Sequence, residues 1–259
     1  MKIFTAPFSM TISIGLAIFL ASCSTLQGQL IASDEATAVV PGQTTDKERE
    51  YSKEYRKVYP NDWNRRLSDL VQLVRERGLS GKEVGTAIGI PTVPDLGQYR
   101  ETGLEFLSKL VCKSDAIVVG SFQIKSAHLT DDEKFIYTGY DLSVSNILKN
   151  TTDGSISLQK TIEVTRPGGR INLDGQIVRV EDRSYSPLQK GQDYLLFLRF
   201  VPSAGGFMVA DVKGDFVQDG DKFRSLSRLG IPSELRGDLD YKETLGKVDA
   251  AVAAGCKTP

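Results

Sequence analysis

Between Ser114 and Asp219 the chain alternates short apolar runs with Gly, Pro, Asp and Asn turns, and no amphipathic helical pattern interrupts them. Tyr140-Asp141-Leu142-Ser143-Val144-Ser145 alternates with period two, which places one strand face in a core and the other toward solvent. Asp115–Ile124, Phe135–Leu148 and Ile156–Arg166 read as the first three strands. Asp174-Gly175 is a two-residue hairpin signal between Arg170–Leu173 and Gln176–Val180. Tyr194–Val201 is the most apolar segment outside the N-terminus, and Phe207–Val212, Asp215–Gln218 and Lys222–Ser225 follow it. Roughly seven or eight strands joined by short turns predict an antiparallel barrel or small sandwich.

The flanks read as helical, so the fold class is α+β. Asp46–Tyr59 is charge-rich, with Tyr51, Tyr55, Val58 and Tyr59 at helical spacing. Asn61-Asp62 predicts a cap for a second helix, Trp63–Arg77, in which Leu67, Leu70, Val71 and Val74 form one apolar stripe. Leu79–Leu96 is Gly- and Pro-rich and reads as a linker, and a third helix is expected from about Gln98 to Val111. At the other end Asp240 caps a final helix, Tyr241–Ala254, which Gly255 closes.

Three segments of the strand block carry a resemblance. Ser114-Asp-Ala-Ile-Val-Val-Gly120, Tyr140-Asp-Leu-Ser-Val-Ser-Asn-Ile-Leu-Lys-Asn150 and Lys190-Gly-Gln-Asp-Tyr-Leu-Leu-Phe-Leu198 resemble the strands of netrin-like modules, the OB-type barrels also found in tissue inhibitors of metalloproteinases. That resemblance implies an OB-like β-barrel, here preceded by the two to three helices and followed by the C-terminal helix read from the flanks. It does not carry over the family's inhibitory mechanism, which needs a free N-terminal Cys. Here Cys112 is internal and a helix precedes it.

The N-terminus concerns location. Lys2 precedes an apolar run, Met10–Leu20, which as a helix spans roughly 16 Å, about half of a ~30 Å hydrocarbon core. A run that short, followed by small residues, reads as a secretory signal. Its end, Leu20-Ala21-Ser22-Cys23, resembles the lipobox of bacterial lipoproteins, which implies lipid attachment at Cys23. Ser24 after it implies the periplasmic face of the outer membrane or the cell surface. The organisation expected is a signal peptide over 1–22, a lipid-anchored tether over 23–48, a helical region over 49–111, and a barrel with its C-terminal helix over 112–259.

Composition limits the chemistry. With 32 basic and 33 acidic residues the net charge is −1, so no whole-chain field draws in nucleic acid. One His and three Cys leave little material for a metal site, and no metal or cofactor is expected. Once Cys23 is acylated, Cys112 and Cys256 are the pair available for a disulfide in an oxidising compartment. The alternatives are two free thiols, or a nucleophilic Cys with His128 as base. His128 sits among polar residues and reads as a solvated loop position. Asp131-Asp132-Glu133 offers three carboxylates for a hard cation or forms a plain acidic turn. Arg166 and Arg170, either side of Pro167-Gly168-Gly169, form a possible anion-binding turn. No nucleophile, base or metal constellation stands out. The expectation is a non-catalytic envelope lipoprotein, a protein- or ligand-interaction module with a protein or envelope-polymer partner. The alternatives are a protease inhibitor and a hydrolase acting on envelope polymers.

Overall fold

A computed structural model describes residues 37–38, 44–58, 61–77, 84–87, 101–153, 155–181, 186–211, 213–227 and 230–256. The expected signal peptide, the lipobox and Cys23 lie outside the described residues, as do Leu79 and most of the expected linker. In chain order the elements are β1 (Thr37–Ala38), α1 (Asp46–Val58), α2 (Asn61–Arg77), β2 (Val84–Ala87), α3 (Gly103–Lys113), β3 (Ala116–Leu129), β4 (Ile136–Asn150) and β5 (Thr161–Pro167). There follow β6 (Gly169–Leu173), β7 (Gln176–Glu181), β8 (Asp193–Val201), β9 (Gly206–Val209), β10 (Phe216–Asp219), β11 (Lys222–Ser225), β12 (Asp238–Asp240) and α4 (Tyr241–Ala254).

The fold is α+β around a closed five-stranded barrel, consistent with an OB-like barrel with flanking helices. β3 pairs antiparallel with β4 and with β8, and β4 pairs antiparallel with β5. β5 then takes β9 in parallel, and β9 returns antiparallel to β8, which closes the ring. Closure leaves the barrel no unpaired edge of its own. The β6–β7 hairpin, inserted between the third and fourth barrel strands, pairs with β1 and β2 in a second sheet of order β1-β6-β7-β2. Two stretches therefore differ from expectation. The segment read as a tether contributes β1, and the segment read as a linker contributes β2, because each finds a free edge of that hairpin to satisfy its backbone groups.

The apolar run of β8 is long because the strand is buried on both faces. Leu196 and Leu198 point into the barrel with Val118, Leu142, Val164 and Phe207, while Leu195 and Phe197 pack outward under α3 and α4 with Leu107, Leu110 and Val248. A third cluster lies on the opposite side, where Tyr51 and Tyr55 of α1 and Leu67, Val71 and Val74 of α2 cover Tyr137, Ile171 and Val178. The helical preface is thus a layer of the barrel's own core, not a separate domain.

Local caps match the sequence reading in part. Asp240 accepts from the Glu243 amide at 2.8 Å and starts α4 as expected. α2 begins at Asn61 itself, and α3 begins later than expected, after Thr102 and Glu105 form a reciprocal capping box. Cys112 near the end of α3 and Cys256 just past α4 are disulfide-bonded, with Cα atoms 5.4 Å apart and a sequence separation of 144.

Arg166 sits elsewhere than the turn reading places it. It points into the barrel and pairs with Asp215, Nη2 to Oδ2 2.9 Å, with side chains 2% and 0% exposed. The possible anion-binding turn is therefore corrected: β5 alternation turns Arg166 inward, and only Arg170 of the pair is partly exposed. Burial pushes the Asp215 carboxyl up to about 6, with Arg166 pulling the other way.

Reduction of the disulfide, or Cys112→Ser, lowers unfolding free energy by about 4–5 kcal/mol on the chain-entropy account, read as a shift in urea midpoint. Arg166→Met alone costs about 3–5 kcal/mol, because it strands a buried carboxylate, and Arg166→Met/Asp215→Leu recovers most of that loss. Because the folded value for Asp215 lies above the 3.8 of a free Asp, its contribution to stability is full below that pH. It is lost as pH rises through about 6, so Tm from pH 7.5 to 5 rises more in the wild type than in Asp215→Asn.

Candidate functional site

A polar cleft lies where the N-terminus of α1 meets the outer face of β3, β4 and β5. It is a cleft of about 270 Å³ lined by Thr45, Lys47, Glu48, Ser126, His128, Tyr137, Gly139, Asp141 and Glu163. Strand alternation builds its floor. Ser126 and His128 are two apart on β3 and share a face, and their cross-strand partners on β4 are Gly139 and Tyr137. Asp141 pairs across to Glu163 on β5, so two carboxylates stand opposite each other.

The roof is a helix start. Thr45 caps α1, and Glu48 reaches back with Oε2 to the Thr45 amide at 2.6 Å and hydroxyl at 2.9 Å. The other oxygen, Glu48 Oε1, lies 2.6 Å from His128 Nδ1. On the far side of the ring, His128 Nε2 lies 2.8 Å from Ser126 Oγ. The imidazole stacks on Tyr137, with centroids 5.2 Å apart and planes 20° from parallel. Partial burial raises the Glu48 carboxyl, but the Thr45 hydrogen bonds and the nearby His128 outweigh it and hold it below its ordinary value. Lys47 pairs with Glu163, beside the buried Tyr51 hydroxyl.

Aromatic packing holds α1 in place. Tyr55 stacks on Phe135 and on Tyr137, with centroids 4.8 and 5.2 Å apart. The Tyr55 hydroxyl donates to Thr165 Oγ1 at 3.0 Å inside this layer. Burial pushes the phenols of Tyr51, Tyr55 and Tyr137 well above the ordinary range, so all three stay neutral donors. Gly206 is needed here, since a Cβ on it would collide with the Tyr51 hydroxyl.

Several candidates from the sequence resolve differently. His128 is not a solvated loop residue: β3 runs five residues beyond Ile124 and carries it onto the barrel face. The Asp131-Asp132-Glu133 carboxylates are engaged by α1 and α2, with Arg56 3.3 Å from Asp132 and Arg75 2.6 Å from Glu133. Among the described residues no group of three or more His, Cys, Asp or Glu side chains is placed to hold a metal ion. Cys112 and Cys256 are spent on each other. A second groove of about 200 Å³, lined by Tyr55, Val58, Lys113, Arg199 and Met208, has its two cations paired with Asp211 and Glu54, each at 3.2 Å.

Sequence reasoning missed the Ser126–His128–Glu48 chain. Ser126-x-His128 has the spacing for one strand face, and Thr45-x-x-Glu48 has the spacing of a capping box. What brings them together is a contact across 80 residues, which no local pattern encodes. No protein-family model matches this chain, and no curated protein does either.

Tyr55→Phe, which removes one buried hydrogen bond and leaves the ring, is expected to cost about 1 kcal/mol in denaturant unfolding. The same variant is expected to raise amide exchange in α1 more than in α4.

Proposed function

We propose that this chain is an envelope lipoprotein, held by acyl chains on Cys23, whose OB-type barrel engages a partner through the cleft beside α1. The observation that carries the reading is the closed barrel bearing a polar cleft on the outer face of its second and third strands. That is the face OB barrels use for ligands. In this chain α1 and α2 cover much of it, and the cleft is the part left open. A short segment or terminal group fits there better than a long polymer laid across the sheet.

The lining sets the chemistry of the partner. Glu48, Asp141 and Glu163 are acceptors, against one lysine and one histidine. Such a surface favours groups that donate hydrogen bonds or carry positive charge, and it disfavours phosphate backbones. A protein segment or an envelope polymer with amine or hydroxyl groups meets that requirement. Anchoring rests on the Leu20-Ala21-Ser22-Cys23 pattern, and a single acyl chain binds only marginally, so stable attachment takes more than one.

Two measurements test the two halves. Mass spectrometry of the mature chain is expected to find lipid on Cys23, and globomycin to block its processing; an unmodified, freely secreted chain overturns the anchoring. A photo-reactive residue at Asp141 in the anchored protein is expected to give one discrete adduct, lost on Gly139→Val. Adducts unchanged by that substitution overturn the role of the cleft.

A further inference from the structure

Binding requires a cleft, but it does not require a hydroxyl, an imidazole and a carboxylate in series. Ser126 Oγ lies 2.8 Å from His128 Nε2, and His128 Nδ1 lies 2.6 Å from Glu48 Oε1. One neutral tautomer satisfies both contacts: Nδ1–H donates to Glu48, and Nε2 accepts the Ser126 hydroxyl. This is the order of roles found in serine hydrolases, which are recognised by geometry and not by sequence order or fold. The Glu48 carboxyl is held by the Thr45 amide and hydroxyl as well, so its orientation is fixed from both ends. The ring is fixed from the side by its stack on Tyr137.

The room in front of Ser126 is as telling as the contacts. Gly139 faces it across the β3–β4 ladder, and a Cβ there would lie 3.7 Å from Ser126 Oγ and 3.8 Å from both His128 Nε2 and Glu163 Oε1. That is ordinary contact distance, so the fold does not demand glycine. The missing side chain instead leaves open the space an acyl group would occupy. A purely structural Ser–His–Glu chain would have no use for that opening.

We propose that Ser126 is an acyl-accepting nucleophile, with His128 as its general base and Glu48 as the positioning residue, acting on small esters with good leaving groups. Ser126 Oγ bonds to the ester carbonyl carbon while its proton passes to His128 Nε2. The tetrahedral species collapses by breaking the carbon–oxygen bond to the leaving alcohol, which takes the proton from His128. Water then attacks the acyl-Ser126 carbon, gives its proton to His128 Nε2, and releases the acid as Ser126 recovers its hydrogen. The net change is ester plus water to acid plus alcohol.

The substrate class follows from what surrounds the reacting atoms. Lys47, the one ammonium lining the cleft, is already paired with Glu163, and the carboxylates of Asp141 and Glu163 work against an oxyanion. One oxyanion donor is worth about 10²–10³ in rate, so a site this poorly provided does not reach amides. A cleft of about 270 Å³ also limits the acyl group to a short one.

The test uses the purified chain, p-nitrophenyl acetate as substrate and a fluorophosphonate as covalent probe. The probe is expected on Ser126 by peptide mass spectrometry. Ser126→Ala abolishes labelling, and His128→Ala lowers ester hydrolysis at least 100-fold. Glu48→Gln lowers kcat with KM unchanged, whereas Glu48→Asp restores part of it; a role only in capping α1 would not produce that split. Gly139→Val leaves the hydrogen-bonded chain in place and is expected to block hydrolysis with circular dichroism and Tm near wild type. Absence of label at Ser126 in a protein folded by those measures overturns the proposal, and so does hydrolysis that survives Ser126→Ala. Either failure leaves the binding role of the cleft standing, since the Asp141 cross-link reads it independently.

Discussion

The irregular ladder between β3 and β4 is the constraint on which both the core and the cleft depend. The first half of β3, Ala116 to Ser121, is paired on both sides, to β4 and to β8, and its alternate side chains fill the barrel. Register shifts at Ile117/Val118, Val119/Gly120 and Phe122/Ile124 leave Leu148 and Ser145 of β4 and Gln123 of β3 without ladder partners. Each irregularity inserts a residue without a ladder partner and increases the local twist. Beyond the last shift β3 leaves β8 and continues as a ribbon with β4 alone, up to Leu129. Gly120 sits at one shift for a steric reason: any Cβ would press on the Ser143 carbonyl. Without those shifts, Ser126 and His128 would not face Gly139 and Tyr137 under the start of α1.

α1 is fastened to that ribbon by two unlike interactions. Apolar stacking of Tyr51, Tyr55, Phe135 and Tyr137 supplies area and is insensitive to salt. The ion pairs from Lys47, Arg56 and Arg199 to Glu163, Asp132 and Glu54 are partly exposed, and pairs of that kind contribute about 0–1 kcal/mol each. The aromatic layer therefore fixes the helix, and the charges fix its rotation and the position of its first turn. That division matters for the cleft, because Glu48 belongs to the first turn. A change in the aromatic layer moves the whole wall, while a change in a surface charge leaves Glu48 in its cap.

Strands and terminal helices are legible in this sequence because their signals are local. Alternation at Tyr140–Ser145, the Asp174-Gly175 turn and the Asp240 cap each act within a few residues, and each gives the element expected. The β8 run reads as core because only a strand covered on both faces can be apolar at Leu195, Leu196, Phe197 and Leu198 in succession. Three things were not legible. β1 and β2 are short and weakly patterned, and they are strands only because the β6–β7 hairpin offers them edges. Arg166 looks like a surface cation until Asp215, far along the chain, is placed beside it. His128 looks like a loop residue because the polar stretch after Ile124 hides its alternation, and its partner Glu48 is named by a helix cap. In each case the missing information is a long-range pairing, and composition carries no trace of it.

β1 precedes α1 in the chain and pairs in parallel with β6 at Thr37–Ile171 and Ala38–Asn172, so the segment before the Thr45–Glu48 cap is tied to the second sheet. Two ladder residues hold far less than a five-stranded barrel, and the wall of the cleft depends mainly on the aromatic layer. The disulfide restrains the other side of the barrel, where α3 and α4 pack, and does nothing for α1. The cleft therefore sits on the side of the barrel that the disulfide does not restrain, and its helical wall is held by noncovalent packing of the Tyr layer.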